Sequence, residues 1–140
     1  MRTKSSLELA EAEAMAAGCR RTAKRLGARV AIAVVDDSGA LIHFQRLDGA
    51  RAHTVDLAIR KAKTASMLGV PTRALELLAK QGSLQSGEAL ALAGGVSVIV
   101  DGDCAGAIGV SGAATDIDDE IANAGLAAFS AVEHPRSSGA

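Results

Sequence analysis

Aromatic side chains are nearly missing from this sequence. There is no tryptophan and no tyrosine, and Phe44 and Phe129 are the only two phenylalanines among 140 residues. Proteins that hold single-stranded nucleic acid stack its bases on aromatic platforms, and two phenylalanines do not build one. Net charge is missing too: 15 basic residues stand against 16 acidic ones, a formal charge of −1. Without an excess of positive charge there is no long-range pull toward nucleic acid or anionic lipid. Cys19 and Cys104 are far apart and show no CxxC spacing. Together with His43, His53 and His134 they do not make an obvious set of metal ligands, so no metal site is expected. No window approaches the roughly 18 uninterrupted apolar residues of a membrane span. "MRTKSSLELAEAEA" places no apolar stretch ahead of its acidic residues. The expectation is a cytoplasmic protein with neither nucleic acid nor membrane as partner.

What is present is small and aliphatic. The hydrophobic fraction is 49 %, enough for one core in a chain of one-domain length. That core must come from Ala, Val, Leu and Ile, each burying little area. Further burial by self-association is therefore expected, as a homo-oligomer of two or more copies. The domain should span 1–132, with a disordered tail at 133–140.

Periodicity orders the chain. Leu9, Ala12, Ala16, Cys19, Ala23 and Leu26 recur every three or four residues, which predicts a helix from about Ser6 to Leu26. Ser5 or Ser6 is its expected cap, Gly27 its stop, and Cys19 a small buried thiol. "RVAIAVVD" is apolar on both faces, as a strand covered on both sides must be. "DDSG" turns it into "ALIHFQRL", whose alternation puts Ile42, Phe44 and Arg46 on one face. A second helix, about Ala52 to Leu68, carries the stripe Val55, Ala58, Ala62, Ala65 and ends before Pro71. A short helix over Arg73–Lys80 follows. "QGSLQSGEALALAGG" holds either a short strand or a loop. "VSVIVD" and "CAGAIGVSG" form a hairpin around Gly102-Asp103. A last helix runs from Thr115 or Asp116 to about Val132, with Ile117, Ile121, Ala124 and Ala128 inward. Hairpins interleaved with helices predict an α+β fold, an antiparallel sheet packed by helices.

Chemistry concentrates in "HFQRLDGARAH", residues 43–53, where His43, Arg46, Asp48, Arg51 and His53 crowd one strand-to-helix joint. Structurally, Asp48 caps the helix and Gly49 supplies the turn. Functionally, Arg46 and Lys61 converge on a pocket and bind a carboxylate or propionate. Lys61 lies two turns beyond His53. Snorkelling to water is its simplest role, and proton transfer or Schiff-base formation is the alternative. Either His43 or His53 could ligate a haem iron. Gly94, Gly95, Gly106, Gly109 and Gly112 mark places where a helix, another subunit or a ligand approaches the backbone. No Walker A loop or dinucleotide fingerprint is present. Ser111 sits in "GVSGA", where Ala113 breaks the G-x-S-x-G elbow, so a serine hydrolase is not expected.

Taken together, "VAIAVVDDSGALIHFQRLDGA", "AIRKAKTAS", "AGGV" and "GAIGVSGAATDIDDEIANAG" resemble the GlcG/HbpS family, which also supplies the C-terminal domain of PduO-type cobalamin adenosyltransferases. The motifs R-x-D-G-A, K-A-x-T-A, G-G-V and G-A-I-G-V-S-G occur in the family's order across nearly all of residues 7–128. Ser97 departs from the pattern, because the family usually has proline after its Gly-Gly-Val. The resemblance implies a profilin-like fold with a central sheet of about five strands, oligomeric assembly, and haem binding in some members. By position it nominates Arg46, Asp48, Gly49, Lys61, Thr64, Gly94, Gly95, Ser111 and Gly112 as ligand-binding. The leading expectation is a binder of a small anionic molecule, haem first. The rival is a catabolic isomerase, tautomerase or lyase, in which Lys61 or His53 moves a proton, Asp48 orients it and Arg46 holds a substrate carboxylate.

Overall fold

The computed structural model describes residues 3–82 and 90–133. In chain order the elements are α1 (Leu9–Leu26), β1 (Ala31–Asp36), β2 (Leu41–Arg46), α2 (His53–Leu68), α3 (Thr72–Lys80), β3 (Gly95–Val100), β4 (Asp103–Ser111) and α4 (Thr115–Glu133). The strands form one sheet in the order β2-β1-β4-β3, and every neighbouring pair is antiparallel. The fold is α+β as expected, with four strands among the described residues rather than about five. Residues 90–94 lead into β3, with the Gly94 carbonyl already accepting from the Val110 N–H of β4 at 2.8 Å, and 83–89 lie outside the described residues. The expected tail lies outside them too, except that Glu133 ends α4. No helix among the described residues is long and apolar enough to cross a membrane.

β1 does what its two-sided apolar pattern requires. Val30, Ile32 and Val34 enter a core with Met15, Cys19, Ile108, Val110 and Ile121, between the sheet and the pair α1 and α4. Ala31, Ala33 and Val35 face the other way, against Ala58, Ala62 and Ala65 of α2. Fully burying each Val or Ile contributes roughly 1.5–3 kcal/mol, so the first layer carries most of the hydrophobic stabilisation. The second layer is nearly all alanine, and it brings α2 close to the sheet.

Several local expectations shift. α1 begins at Leu9 because Glu8 and Glu11 form a reciprocal capping box, with Glu11 accepting from the Glu8 N–H at 2.7 Å. Ser5 and Ser6 are left outside, and Leu9 at the end of the expected stripe is 52 % exposed. A bulge opposite Val34 and Val35 inserts Ile42 as an extra residue in β2. Ile42 then packs toward α1 and α4 while Phe44 packs toward α2, so they do not share a face. The second hairpin turns at Asp101-Gly102, one residue earlier than expected. Both residues have positive φ (51° and 82°), the type I′ geometry that suits an antiparallel ladder. α2 has Ala52 at its N-cap and no side-chain cap, so Asp48 does not cap it.

Candidate functional site

The joint that drew attention in the sequence lies at one end of the sheet, where three connections meet: α1–β1, β2–α2 and β4–α4. They enclose an open groove of about 720 Å³, lined by residues 27–29, by Gly49, Arg51, His53 and Thr54, and by residues 111–113. Its cationic and ionisable side chains are Arg29, Arg51 and His53, and among the described residues no carboxylate lines it. Arg29 crosses directly over Gly49: a Cβ there would stand 2.5 Å from Arg29 Cδ and 3.1 Å from Nε, and φ is +89°. The glycine of R-x-D-G-A therefore gives passage to an arginine from another loop. Thr54 Oγ1 donates to the Arg51 carbonyl at 2.6 Å, which fixes the backbone between the two basic residues. Two guanidinium groups on a surface of glycine, alanine and hydroxyls suit a flat ligand with anionic ends.

Of the residues nominated from the sequence, Gly49, His53, Ser111 and Gly112 line this groove. Arg46 instead turns back on its own loop, donating to the Ala50 carbonyl from Nε at 3.0 Å and from Nη2 at 2.8 Å. Asp48 is exposed in the same loop. His43 pairs with the Gln45 side chain at 2.9 Å on β2 and is not a groove residue. His134 lies outside the described residues.

Lys61, Thr64, Gly94 and Gly95 sit elsewhere, between α2 and the sheet. Lys61 does not snorkel: its side chain is 2 % exposed. Nζ donates to the Val110 carbonyl at 3.0 Å and to Asp118 Oδ2 at 3.1 Å. The other oxygen, Asp118 Oδ1, accepts from the Ala113 N–H at 2.9 Å. Burial pushes the Asp118 carboxyl above its ordinary range, and Lys61 and the loop N–H groups offset only part of this. The Gly-Gly pair makes the room, since a Cβ at Gly94 would stand 2.9 Å from Lys61 Nζ and 2.5 Å from the Val110 carbonyl. The close approach these glycines serve is that of α2 and its lysine. Thr64 Oγ1 accepts from the Leu90 N–H at 3.1 Å, holding the segment that enters β3. An ammonium enclosed in this way is not presented to the groove. Cys19 is buried as expected, its thiol pushed up to about 12 by desolvation. Among the described residues, no group of three His, Cys, Asp or Glu could hold a metal ion.

Sequence reasoning passed over Arg29 and gave Arg51 no role. Arg51 was legible in "HFQRLDGARAH". Arg29 stands before a strand, and nothing in its local pattern marks it, because its partner Gly49 is twenty residues away.

The chain is similar to known proteins over most of its length. Residues 7–127 match the family described as haem degrading protein HbpS-like. The protein GlcG of Escherichia coli strain K12 is 34 % identical over 114 residues, covering 79 % of this chain and 85 % of GlcG. A double mutant of HbpS from Streptomyces reticuli superposes with a TM-score of 0.82 at 36 % identity, over 91 % of this chain and 89 % of that one. The crystal structure of a PduOC–haem complex also gives 0.82, at 25 % identity, over 88 % and 94 %.

Proposed function

The chain belongs to the HbpS-like family, and on that premise we propose that it binds a small anionic ligand in the groove between Arg29, Arg51 and His53, with haem the first candidate. The observation that carries this reading is the groove's one-sided electrostatics: two arginines and a histidine line it, and among the described residues no carboxylate does. The residues fit the group. Arg29 and Arg51 offer bidentate donors to two propionates, and His53 offers an imidazole to iron. Gly27 and Gly112, with Ala28 and Ala113, leave a floor without bulky side chains on which a macrocycle can lie, while Gly49 gives passage to Arg29. Haem, when bound, supplies a redox-active iron; the chain's part is to neutralise the propionates and set the plane. The haem complex of the structurally similar PduOC supports the choice of first ligand. Assembly into a homo-oligomer in the cytoplasm belongs to the same proposal, since an open groove floored by glycine and alanine gains apolar cover from a second copy.

The test is a hemin titration followed at the Soret band, with Arg29→Ala, Arg51→Ala and His53→Ala beside the unaltered protein. Hemin titrated into buffer without protein is the blank against which the Soret shift is read. Saturable binding should weaken about tenfold or more in each arginine variant, in line with the roughly 1.5–3 kcal/mol typical of charge-assisted hydrogen bonds. The His53 variant should change the shape of the band. Equal affinity in all four proteins would remove the groove from consideration.

A further inference from the structure

The buried Lys61–Asp118 pair has no place in ligand contact, yet its bonds converge on one wall of the groove. Lys61 Nζ holds the Val110 carbonyl at 3.0 Å, and Asp118 Oδ1 holds the Ala113 N–H at 2.9 Å. Between those anchors lie Ser111 and Gly112, which with Ala113 form that wall. The two charges then meet each other at 3.1 Å, both side chains 2 % exposed. The lysine comes from the middle of α2 and the aspartate from the first turn of α4, so the wall is tied to helices on opposite faces of the sheet.

Stability alone is a poor reason for such a pair. Removing two charges from water costs more than their attraction often returns, and apolar residues of similar volume commonly do as well or better. The surroundings here would suit apolar residues, because the layer around Lys61 is built from alanine. The backbone has also been shaped around the charge: Gly94, at φ +126°, leaves the space that Nζ fills. What an apolar pair could not supply is a donor for the Val110 carbonyl and an acceptor for the Ala113 N–H.

We propose that Lys61 and Asp118 are positioning residues that fix the 111–113 wall of the groove and thereby set its affinity for an anionic ligand. The inference rests on the reading of the groove as the binding site. It assigns the K-A-x-T-A lysine and the aspartate of "TDIDDE" to the site's framework rather than to contact with the ligand. A misplacement of about 1 Å in the groups that hold a reactant can cost about 100-fold in rate, and a displaced binding wall weakens a ligand by the same loss of fit.

Two double variants separate the roles. Lys61→Met with Asp118→Leu removes both charges and the acceptor for the Ala113 N–H. Lys61→Met with Asp118→Asn removes the ion pair but keeps a side-chain carbonyl facing that N–H. Amide hydrogen exchange at Ala113 is measured in each, and the same samples are titrated with hemin while thermal melts record stability. In the leucine variant, protection at Ala113 should fall about tenfold or more and hemin affinity should fall by a similar factor, with the melting transition still cooperative. The asparagine variant keeps the Ala113 bond but loses the Val110 one, so Ala113 protection should stay within about threefold of the unaltered protein while hemin affinity falls by about threefold to tenfold, less than in the leucine variant. Unchanged protection in the leucine variant would overturn the proposal, as would lost protection with unchanged hemin affinity. If the leucine variant does not fold, the asparagine variant decides alone: lost protection at Ala113, or hemin affinity unchanged with the Val110 bond gone, would overturn the proposal. Failure of the unaltered protein to bind hemin would refute the groove reading instead, and Ala113 exchange would still decide whether the pair fixes the wall.

Discussion

The two faces of the sheet are built on different principles. Toward α1 and α4 the contacts are Met15, Val30, Ile32, Val34, Ile108, Val110 and Ile121, a layer of large aliphatic side chains. Toward α2 they are Ala31, Ala33, Ala58, Ala62, Ala65 and Ala107, relieved by Val35 and by Phe44 and Ile59 at the margin. The thick face is held by area removed from water. The thin face has little area to bury, and polar bonds pin it instead: Lys61 to Asp118 and Val110, Ser97 Oγ to the Ala65 carbonyl at 2.8 Å, and Ser66 Oγ to the Asp36 carbonyl at 2.8 Å. A helix seated by hydrogen bonds sits where those bonds put it, which suits a face whose end forms one side of a binding groove.

The contrast should break most visibly at the lysine. Lys61→Ala leaves a buried carboxylate without its cation, and we expect a loss of about 3–5 kcal/mol in denaturant unfolding. A loss below about 1 kcal/mol would mean that the pair is solvated. Ala62→Val adds bulk where helix and sheet already touch and should cost about 1–3 kcal/mol by overpacking. On the thick face the change in size runs the other way: Ile121→Val removes one methylene and should cost about 0.5–1.5 kcal/mol. If Ala62→Val proves the milder of the two, the thin face is not closely packed. The smallest effect belongs to the turn after β1, where Asp36 Oδ1 accepts from Ser38 Oγ at 2.6 Å and from the Ser38 and Ala40 N–H groups at 2.8 and 3.0 Å.

Those bonds, led by the Ser38 hydroxyl, hold the Asp36 carboxyl below its ordinary 3.8. A lowered folded value means that its stabilisation is present above 3.8 and fades as pH falls through the lowered value. The group is solvent-accessible, so the effect should stay below about 1 kcal/mol. Unfolding of Asp36→Asn and the unaltered protein, compared between pH 6 and pH 2.5, should show a gap that closes on the acid side. A gap independent of pH would detach the turn from this carboxylate.

The sequence carried the fold's skeleton because both faces of β1 and the alanine stripe of α2 are local patterns; the second hairpin was legible too, though its turn fell one residue earlier than expected. It misplaced Ile42 because a bulge is decided by the partner strand, and it expected Ser5 or Ser6 to cap α1 because a glutamate capping box competes with a serine. The opening stretch did mark the edge of the groove: Gly49, Arg51 and His53 line it, while Arg46 closes its own loop. What could not be read was anything set by distant pairs. Lys61 is indistinguishable from a snorkelling lysine until Asp118, fifty-seven residues later, comes within 3.1 Å. Arg29 means nothing until Gly49 lies beneath it.

The two ends of the sheet offer the decisive comparison. At the opposite end a cavity of about 620 Å³ is lined by Lys4, Asp37, Lys63, Ser66 and Cys104 among others, and there a carboxylate offsets the lysines. The groove beside Arg29 and Arg51 has no such carboxylate among the described residues. The most direct measurement is therefore an amide chemical-shift map of the protein titrated with zinc protoporphyrin, a diamagnetic stand-in for haem. Saturable shifts confined to residues 27–29, 49–54 and 111–113 are the predicted result. Shifts centred on Gly39, Ser66 and Gly69, or no saturable shifts anywhere, would contradict the assignment of the anion site to this end of the fold.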